Sequence, residues 1–262
     1  MTIAFVPARM ASSRFPGKPL VDIHGVPMVG HCYFRTDMAK TVDATYVATC
    51  DQVVGDYCDS AGIPWVMTKD THERATDRVA EAMLKVEEKT GTRHNIVVLV
   101  QGDEPMLRPE MIDLAVAGLI AAPDINVVNL MLDMDPDDFA DPNEVKVVCD
   151  QQSNALYFSR EPIPSLKMAK GAKVPMRKQF CLMPFRRDFL LEYNEMPQTP
   201  LEKIESCDML RIVESGGKVR MVYCPGETVA VDTQADLDRV RKFMATDDLM
   251  AAYAPPQAGR KA

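Results

Sequence analysis

The sequence contains no C-x-x-C pair, no G-x-x-x-x-G-K-S/T and no G-x-G-x-x-G. The first absence removes the usual zinc and dithiol signatures. The other two leave no P-loop and no Rossmann dinucleotide site. Its seven cysteines are scattered and odd in number, so they read as small core residues in a reducing compartment rather than a disulfide framework. No apolar run approaches the length of a membrane span, and no basic segment leads into an apolar stretch at the start. We therefore expect no signal peptide, no membrane contact and a cytoplasmic protein. The net charge of -8 argues against non-specific nucleic-acid binding. Internal repeats and low-complexity blocks are also missing.

What is present is a chain of 262 residues, enough for one large α/β domain with its own core. Apolar runs at Ile3–Val6, Thr45–Ala48, Pro64–Met67 and Ile96–Gln101 read as strands. Helical patterns lie between them: one with Pro27 at its first position, one over Gln52–Ala61 and one over Asp77–Glu88. Such alternation predicts a three-layer α/β sandwich with a mostly parallel sheet. A helix follows from Pro109 to about Ile120, then strands over Ile125–Leu132 and Val145–Cys149. From about 155 to 216 the pattern is less regular. It holds a Pro-, Lys- and Gly-rich loop over Pro162–Met176, a strand-like run over Phe180–Phe185 and a helix from Pro200 to about Glu214. A strand over Val219–Tyr223 and a helix over Gln234–Met244 complete a single domain spanning 1–250. The segment 251–262 has little to pack and is expected to be mobile.

The most informative segment is the loop after the first strand. Arg9, Arg14 and Lys18 occur there, and no acidic residue precedes Asp22. Ala11, Ser12, Ser13 and Gly17 are small enough for backbone N–H groups to approach a ligand. A cationic loop at the carboxyl end of a strand suits a polyanion, with a nucleoside triphosphate the obvious candidate. A solvated basic turn is the bland alternative. Asp103 also follows a buried strand, in Gln101-Gly-Asp-Glu-Pro105. One or two carboxylates beside phosphate oxygens suit Mg²⁺, although the same residues compose ordinary turns. Asp232, in Thr228-Val-Ala-Val-Asp-Thr233, is a second such carboxylate. Its alternative role is to cap the final helix, which Thr233 can do equally well.

These segments, with Asn143-Glu-Val-Lys-Val-Val148, Ala155-Leu-Tyr-Phe-Ser-Arg160 and Pro200-Leu-Glu-Lys-Ile-Glu-Ser206, resemble the bacterial cytidylyltransferases that make CMP-sugars. Those acting on 3-deoxy-manno-octulosonate (KDO) are the nearest in pattern. The resemblance runs from about Ile3 to Arg241. It implies a nucleotide-diphospho-sugar transferase-like fold, transfer of CMP from CTP to an acidic sugar, and a place in lipopolysaccharide biosynthesis. It also implies a homodimer, with 155–216 as acceptor-binding and dimerisation element. By the same resemblance Arg9 and Lys18 are catalytic cations. Arg9, Ser12, Ser13, Arg14, Lys18, Arg78 and Gln101 bind the nucleotide. Asp103 and Asp232 hold magnesium, and Arg160, Gln179, Met183, Glu205 and Met209 face the acceptor.

Three acceptor positions depart from the family pattern. Gln179 replaces a histidine, Met183 a tyrosine and Met209 a glutamine. Fewer polar partners predict weak activity with KDO and better activity with another acidic acceptor, such as a modified ulosonate or a phosphonate. Arg74-Ala75 replaces Ser-Gly near the nucleoside. A metal-dependent nucleotide-sugar glycosyltransferase is the rival from another class, and the dense basic loop argues against it.

Overall fold

The computed structural model describes residues 1–11, 15–226 and 228–254. They form two compact units, Met1–Asp113 with the chain from Thr228 onward, and Leu114–Glu227. The expected acceptor element over 155–216 falls within the second unit.

The first unit opens with β1 (Thr2–Ala8), a short ribbon of β2 (Asp22–Ile23) and β3 (Val26–Pro27), and α1 (Met28–Asp37). It continues through β4 (Ala44–Thr49), α2 (Gln52–Ala61), β5 (Trp65–Met67), α3 (Ala75–Thr90) and β6 (Ile96–Val100), to the start of α4 (Pro109–Ile120). Its strands lie in the order β6–β1–β4–β5 and all pair in parallel. Every residue of β6 is buried, and β1 is buried but for Pro7. Strands covered on both faces read as continuous apolar runs, which is why both were visible in sequence. Because β1 and β6 are parallel neighbours, their carboxyl ends open on the same edge of the sheet. One leads into Arg9 and the other into Gln101–Asp103.

Pro27 does not occupy the first helical position. It pairs with Asp22 in the ribbon and has extended backbone angles, and α1 begins at Met28. Its fixed φ serves the strand-to-helix corner equally well.

The second unit holds β7 (Val128–Asp133), β8 (Lys146–Cys149), β9 (Ala155–Ser159), β10 (Arg177–Phe180) and β11 (Leu182–Arg186). Helices α5 (Arg187–Glu195), α6 (Pro200–Glu205) and α7 (Met209–Glu214) and strand β12 (Arg220–Tyr223) follow. The sheet order is β12–β7–β10–β8–β9, antiparallel except for the β12–β7 pair. The expected strand over Phe180–Phe185 is two strands divided at Cys181, and α5 was not anticipated.

The expected single helix over Pro200–Glu214 is broken at Ser206, which adopts the left-handed conformation. The reason is a buried ion pair. Arg211 meets Glu202 with two bonds, Nη2 to Oε1 at 2.6 Å and Nε to Oε2 at 2.8 Å. In one continuous helix these residues, nine apart, would lie two and a half turns away on opposite sides. The break folds them together.

The chain then forms α8 (Gln234–Met244), capped by a reciprocal box in which Thr233 accepts from the Asp236 N–H and Asp236 accepts from the Thr233 N–H. The segment expected to be mobile is ordered at its start. Leu249–Ala252 form a 3-10 turn, and the Tyr253 ring stacks on Phe34 with centroids 5.3 Å apart. A single aromatic supplies the packing that the composition of the tail conceals. Residues 255–262 lie outside the described residues.

Candidate active site

Lys18 opens a 3-10 turn, Lys18–Leu20, preceded by Gly17 at φ 77. Only a residue without Cβ takes that turn freely. The turn aims the Lys18 ammonium at two carboxylates, Asp103 Oδ2 at 2.7 Å and Asp232 Oδ1 at 3.1 Å. Burial alone would lower the lysine's pKa, but the two carboxylates outweigh it and raise the pKa above its ordinary value. The backbone joins the carboxylates as well, since the Val231 N–H donates to the Asp103 carbonyl at 2.9 Å. Thr233 caps α8, which leaves the Asp232 carboxylate to face Lys18.

Gly102 makes the approach of the two strand ends possible. A Cβ there would lie 2.6 Å from the Pro7 carbonyl oxygen, so any side chain would push β6 away from β1. Met10 is fixed at the other end, where its N–H donates to Asp51 Oδ2 at 2.8 Å.

Around this cluster is a cleft of about 300 Å³. Arg9, Lys18, Arg78, Gln101, Asp103 and Asp232 all line it. Ser12, Ser13 and Arg14 lie outside the described residues. Arg78 is buried, and its Nη1 donates to Thr68 Oγ1 and to the Lys69 carbonyl. The cleft wall also includes His72, Glu73 and Arg74, absent from the expected nucleotide set although the segment drew notice. Counting side chains, Arg9, Lys18, Arg74 and Arg78 face Glu73, Asp103 and Asp232, so the cationic side has a slight excess.

His72 bonds through Nε2 to Glu81, which also accepts from the Lys69 N–H and pairs with Lys85 at 2.7 Å. Desolvation pushes the Glu81 carboxyl up, but these three donors dominate and bring it from 4.5 to about 2. A depressed folded-state pKa stabilises above the unfolded value and loses that contribution as pH falls through the folded one. The stability difference between the protein and Glu81→Gln should therefore be constant above about pH 5 and shrink between 4.5 and about 2. Urea unfolding across that range measures it, and a pH-independent difference would contradict the assignment.

The expected acceptor residues form a separate cluster inside the second unit. Glu205 accepts from Tyr157 Oη at 3.2 Å, Ser159 Oγ at 3.0 Å and the Arg160 N–H at 2.8 Å. The Arg160 guanidinium donates to the carbonyls of Glu205, Pro142, Asn143 and Ser206. Of its five N–H groups, those bonds leave one, on Nη2. Gln179 is half-buried and its Oε1 accepts from Cys207 Sγ at 3.4 Å. Met183 and Met209 are buried in the interior. Arg160, Gln179, Glu205 and Met209 thus gather about one turn, 205–209, with unequal access to a ligand, and Met183 is buried in β11.

A family model described as cytidylyltransferase matches residues 3–221. The 3-deoxy-manno-octulosonate cytidylyltransferase of Geobacter metallireducens is 42% identical over 247 residues, covering 90% of this chain and 95% of that protein. The mitochondrial 3-deoxy-manno-octulosonate cytidylyltransferase of Arabidopsis thaliana is 37% identical over 243 residues, covering 92% and 82%. Among solved structures, CMP:2-keto-3-deoxy-manno-octonic acid synthetase complexed with CTP aligns at a TM-score of 0.85 and 37% identity, covering 93% of this chain and 98% of that one. A glucose-1-phosphate thymidylyltransferase from Bacillus anthracis, at a TM-score of 0.64 and 15% identity over 95% of this chain and 97% of that one, shares the fold.

Proposed function

The chain belongs to the cytidylyltransferase family, and from that premise we propose that it transfers CMP from CTP to 3-deoxy-manno-octulosonate, releasing pyrophosphate. The observation that carries this reading is the Lys18 ammonium between Asp103 and Asp232, in a cleft where two parallel strands end. The α-phosphorus of CTP gains a bond to the acceptor's anomeric oxygen and loses its bond to the bridging oxygen of pyrophosphate. The hydroxyl proton passes to solvent or to a carboxylate. Negative charge builds on the departing pyrophosphate, and Arg9 and Lys18, the latter held by two carboxylates, are cations lining the cleft that would stabilise it. Gln101 reads an edge of the nucleoside, and Arg78 braces the wall beside it.

Asp103 and Asp232 would hold Mg²⁺. The donor set fits a hard cation, because both carboxylates are oxygen donors and both already converge on a single positive charge. Magnesium would supply charge neutralisation at the phosphates.

Met183 and Met209 are interior residues, so the substitutions there do not strip hydrogen bonds from an open surface. This weakens the expectation that KDO is a poor acceptor and favours it as the substrate. Gln179 is the remaining polar departure and bears on how tightly the acceptor is held. A cytoplasmic homodimer accompanies this reading. Among the described residues no helix is long and apolar enough to cross a membrane.

Pyrophosphate release at fixed CTP across a panel of acidic sugars and phosphonates tests the assignment. The expected result is release that depends on an acceptor and is fastest with KDO. Faster release with a phosphonate or a differently substituted ulosonate would move the assignment to that acceptor. Equal release with no acceptor would overturn it.

A further inference from the structure

Arg35, on α1, is fully buried. A buried guanidinium must be paired on every side to be tolerated. Its three partners come from two separate stretches of the first unit, the turn after Asp103 and the chain beyond α8. Nη1 donates to the Leu107 carbonyl at 3.3 Å, Nη2 lies 2.8 Å from Asp247 Oδ1, and Nε donates to the Tyr253 hydroxyl at 2.8 Å. The same hydroxyl lies 2.8 Å from His31 Nδ1, whose Nε2 lies 2.8 Å from the Ile23 carbonyl. A carbonyl can only accept, so Nε2 carries the proton and Nδ1 accepts from Tyr253. Burial holds this imidazole down to about 4, in keeping with a neutral ring.

One apolar cluster lies alongside this network. Val231, Met250 and their neighbours form it, and Phe15, Val21, Met106, Tyr253 and Ala254 pack against it. Phe15 and Val21 bracket Lys18, Met106 lies in the turn after Asp103, and Val231 precedes Asp232. The stretches that carry all three residues of the reaction centre therefore rest on one cluster, and the chain beyond α8 is part of that cluster.

We propose that Arg35 and Tyr253 are positioning residues for the Lys18–Asp103–Asp232 centre, and that the segment from Asp247 to Ala254 belongs to its scaffold. Arg35 fixes the turn after Asp103 through Leu107, and Tyr253 holds Arg35 in place while packing on the cluster that includes Val231. Neither residue touches the cleft, so their action is on geometry.

The test is amide hydrogen exchange on the full chain carrying Tyr253→Ala, with Tyr253→Phe as the milder variant. The Val231 N–H, bonded to Asp103, and the Leu107 N–H should exchange at least tenfold faster in Tyr253→Ala. The Val47 N–H, bonded to Pro64 in the same unit, should be unchanged. Tyr253→Phe keeps the ring and should give a smaller rise at the same two amides. Unchanged exchange at Val231 and Leu107, or a uniform rise that includes Val47, would overturn the proposal. A second arm rests on the function proposed above: Tyr253→Ala should lower kcat at least tenfold with KM for CTP within threefold. Val54→Ala, a core change in α2 that lowers Tm, should keep kcat within twofold. Equal kcat loss in both variants would reduce Tyr253 to a stability role. The exchange arm stands even where no turnover is found, so failure of the functional reading and failure of this one are separable.

Discussion

Asp103→Asn and Asp232→Asn should each lower kcat about a thousandfold while leaving the fold intact. The two carboxylates are about a third exposed and meet the same lysine, with 29% and 31% of their side-chain surface accessible. Neither is needed to fill the core. Each substitution keeps shape and one acceptor oxygen and removes a charge. A thousandfold corresponds to about 4 kcal/mol of transition-state stabilisation, the scale of removing one fixed electrostatic contact at a reaction centre. The effect should fall on kcat rather than on Tm, which should move by no more than a few degrees. Steady-state kinetics with magnesium as the sole divalent cation gives the number. Turnover within tenfold of the parent in either variant would remove that carboxylate from the reaction centre.

Lys18→Ala should cost about a hundredfold in kcat, with the KM for CTP changed less than threefold. A charge that acts on the developing pyrophosphate is worth more in the transition state than in the bound substrate, so its loss appears in kcat. The same substitution leaves Asp103 and Asp232 facing each other without the ammonium that lies between them at 2.7 and 3.1 Å. Two like charges at that spacing repel, and a divalent cation relieves the repulsion. Half-saturation by magnesium should therefore shift to lower concentration in Lys18→Ala. A variant in which only KM rises would assign Lys18 to ground-state binding. A rise in the magnesium requirement would contradict its place between the carboxylates.

The parallel sheet of the first unit was legible because β1, β4 and β6 are short, nearly continuous apolar runs. Gln52–Ala61 and Gln234–Met244 match the observed helices residue for residue, and the helix expected from Pro109 to about Ile120 is also observed. The cleft was legible in outline too, since Lys18, Asp103 and Asp232 were singled out and meet there, although Asp232 follows an extended run that pairs in no sheet among the described residues. Local pattern could not reveal contacts distant in sequence. The break at Ser206 exists to join Glu202 to Arg211, and no helical period encodes that. Arg160 is expected to face the acceptor, yet four backbone carbonyls engage its guanidinium, a pairing set by where the chain turns at 142–143 and 205–206. Tyr253 sits in a tail otherwise made of alanine, proline, glycine and a few polar residues, so composition concealed its place beside Arg35 and Phe34. The two interior methionines, Met183 and Met209, were assigned to a pocket by position in the family pattern, which carries no information on burial.

In the proposed reaction the α-phosphate of CTP moves onto an acidic sugar. Phosphorus NMR of a reaction containing the protein, CTP, magnesium and KDO follows that atom directly. The α-phosphate signal of CTP should be replaced by a single phosphodiester resonance, one equivalent for each pyrophosphate formed, and neither should appear when KDO is omitted. Pyrophosphate accompanied by free CMP, or CTP that persists unchanged while the protein is folded, would contradict it.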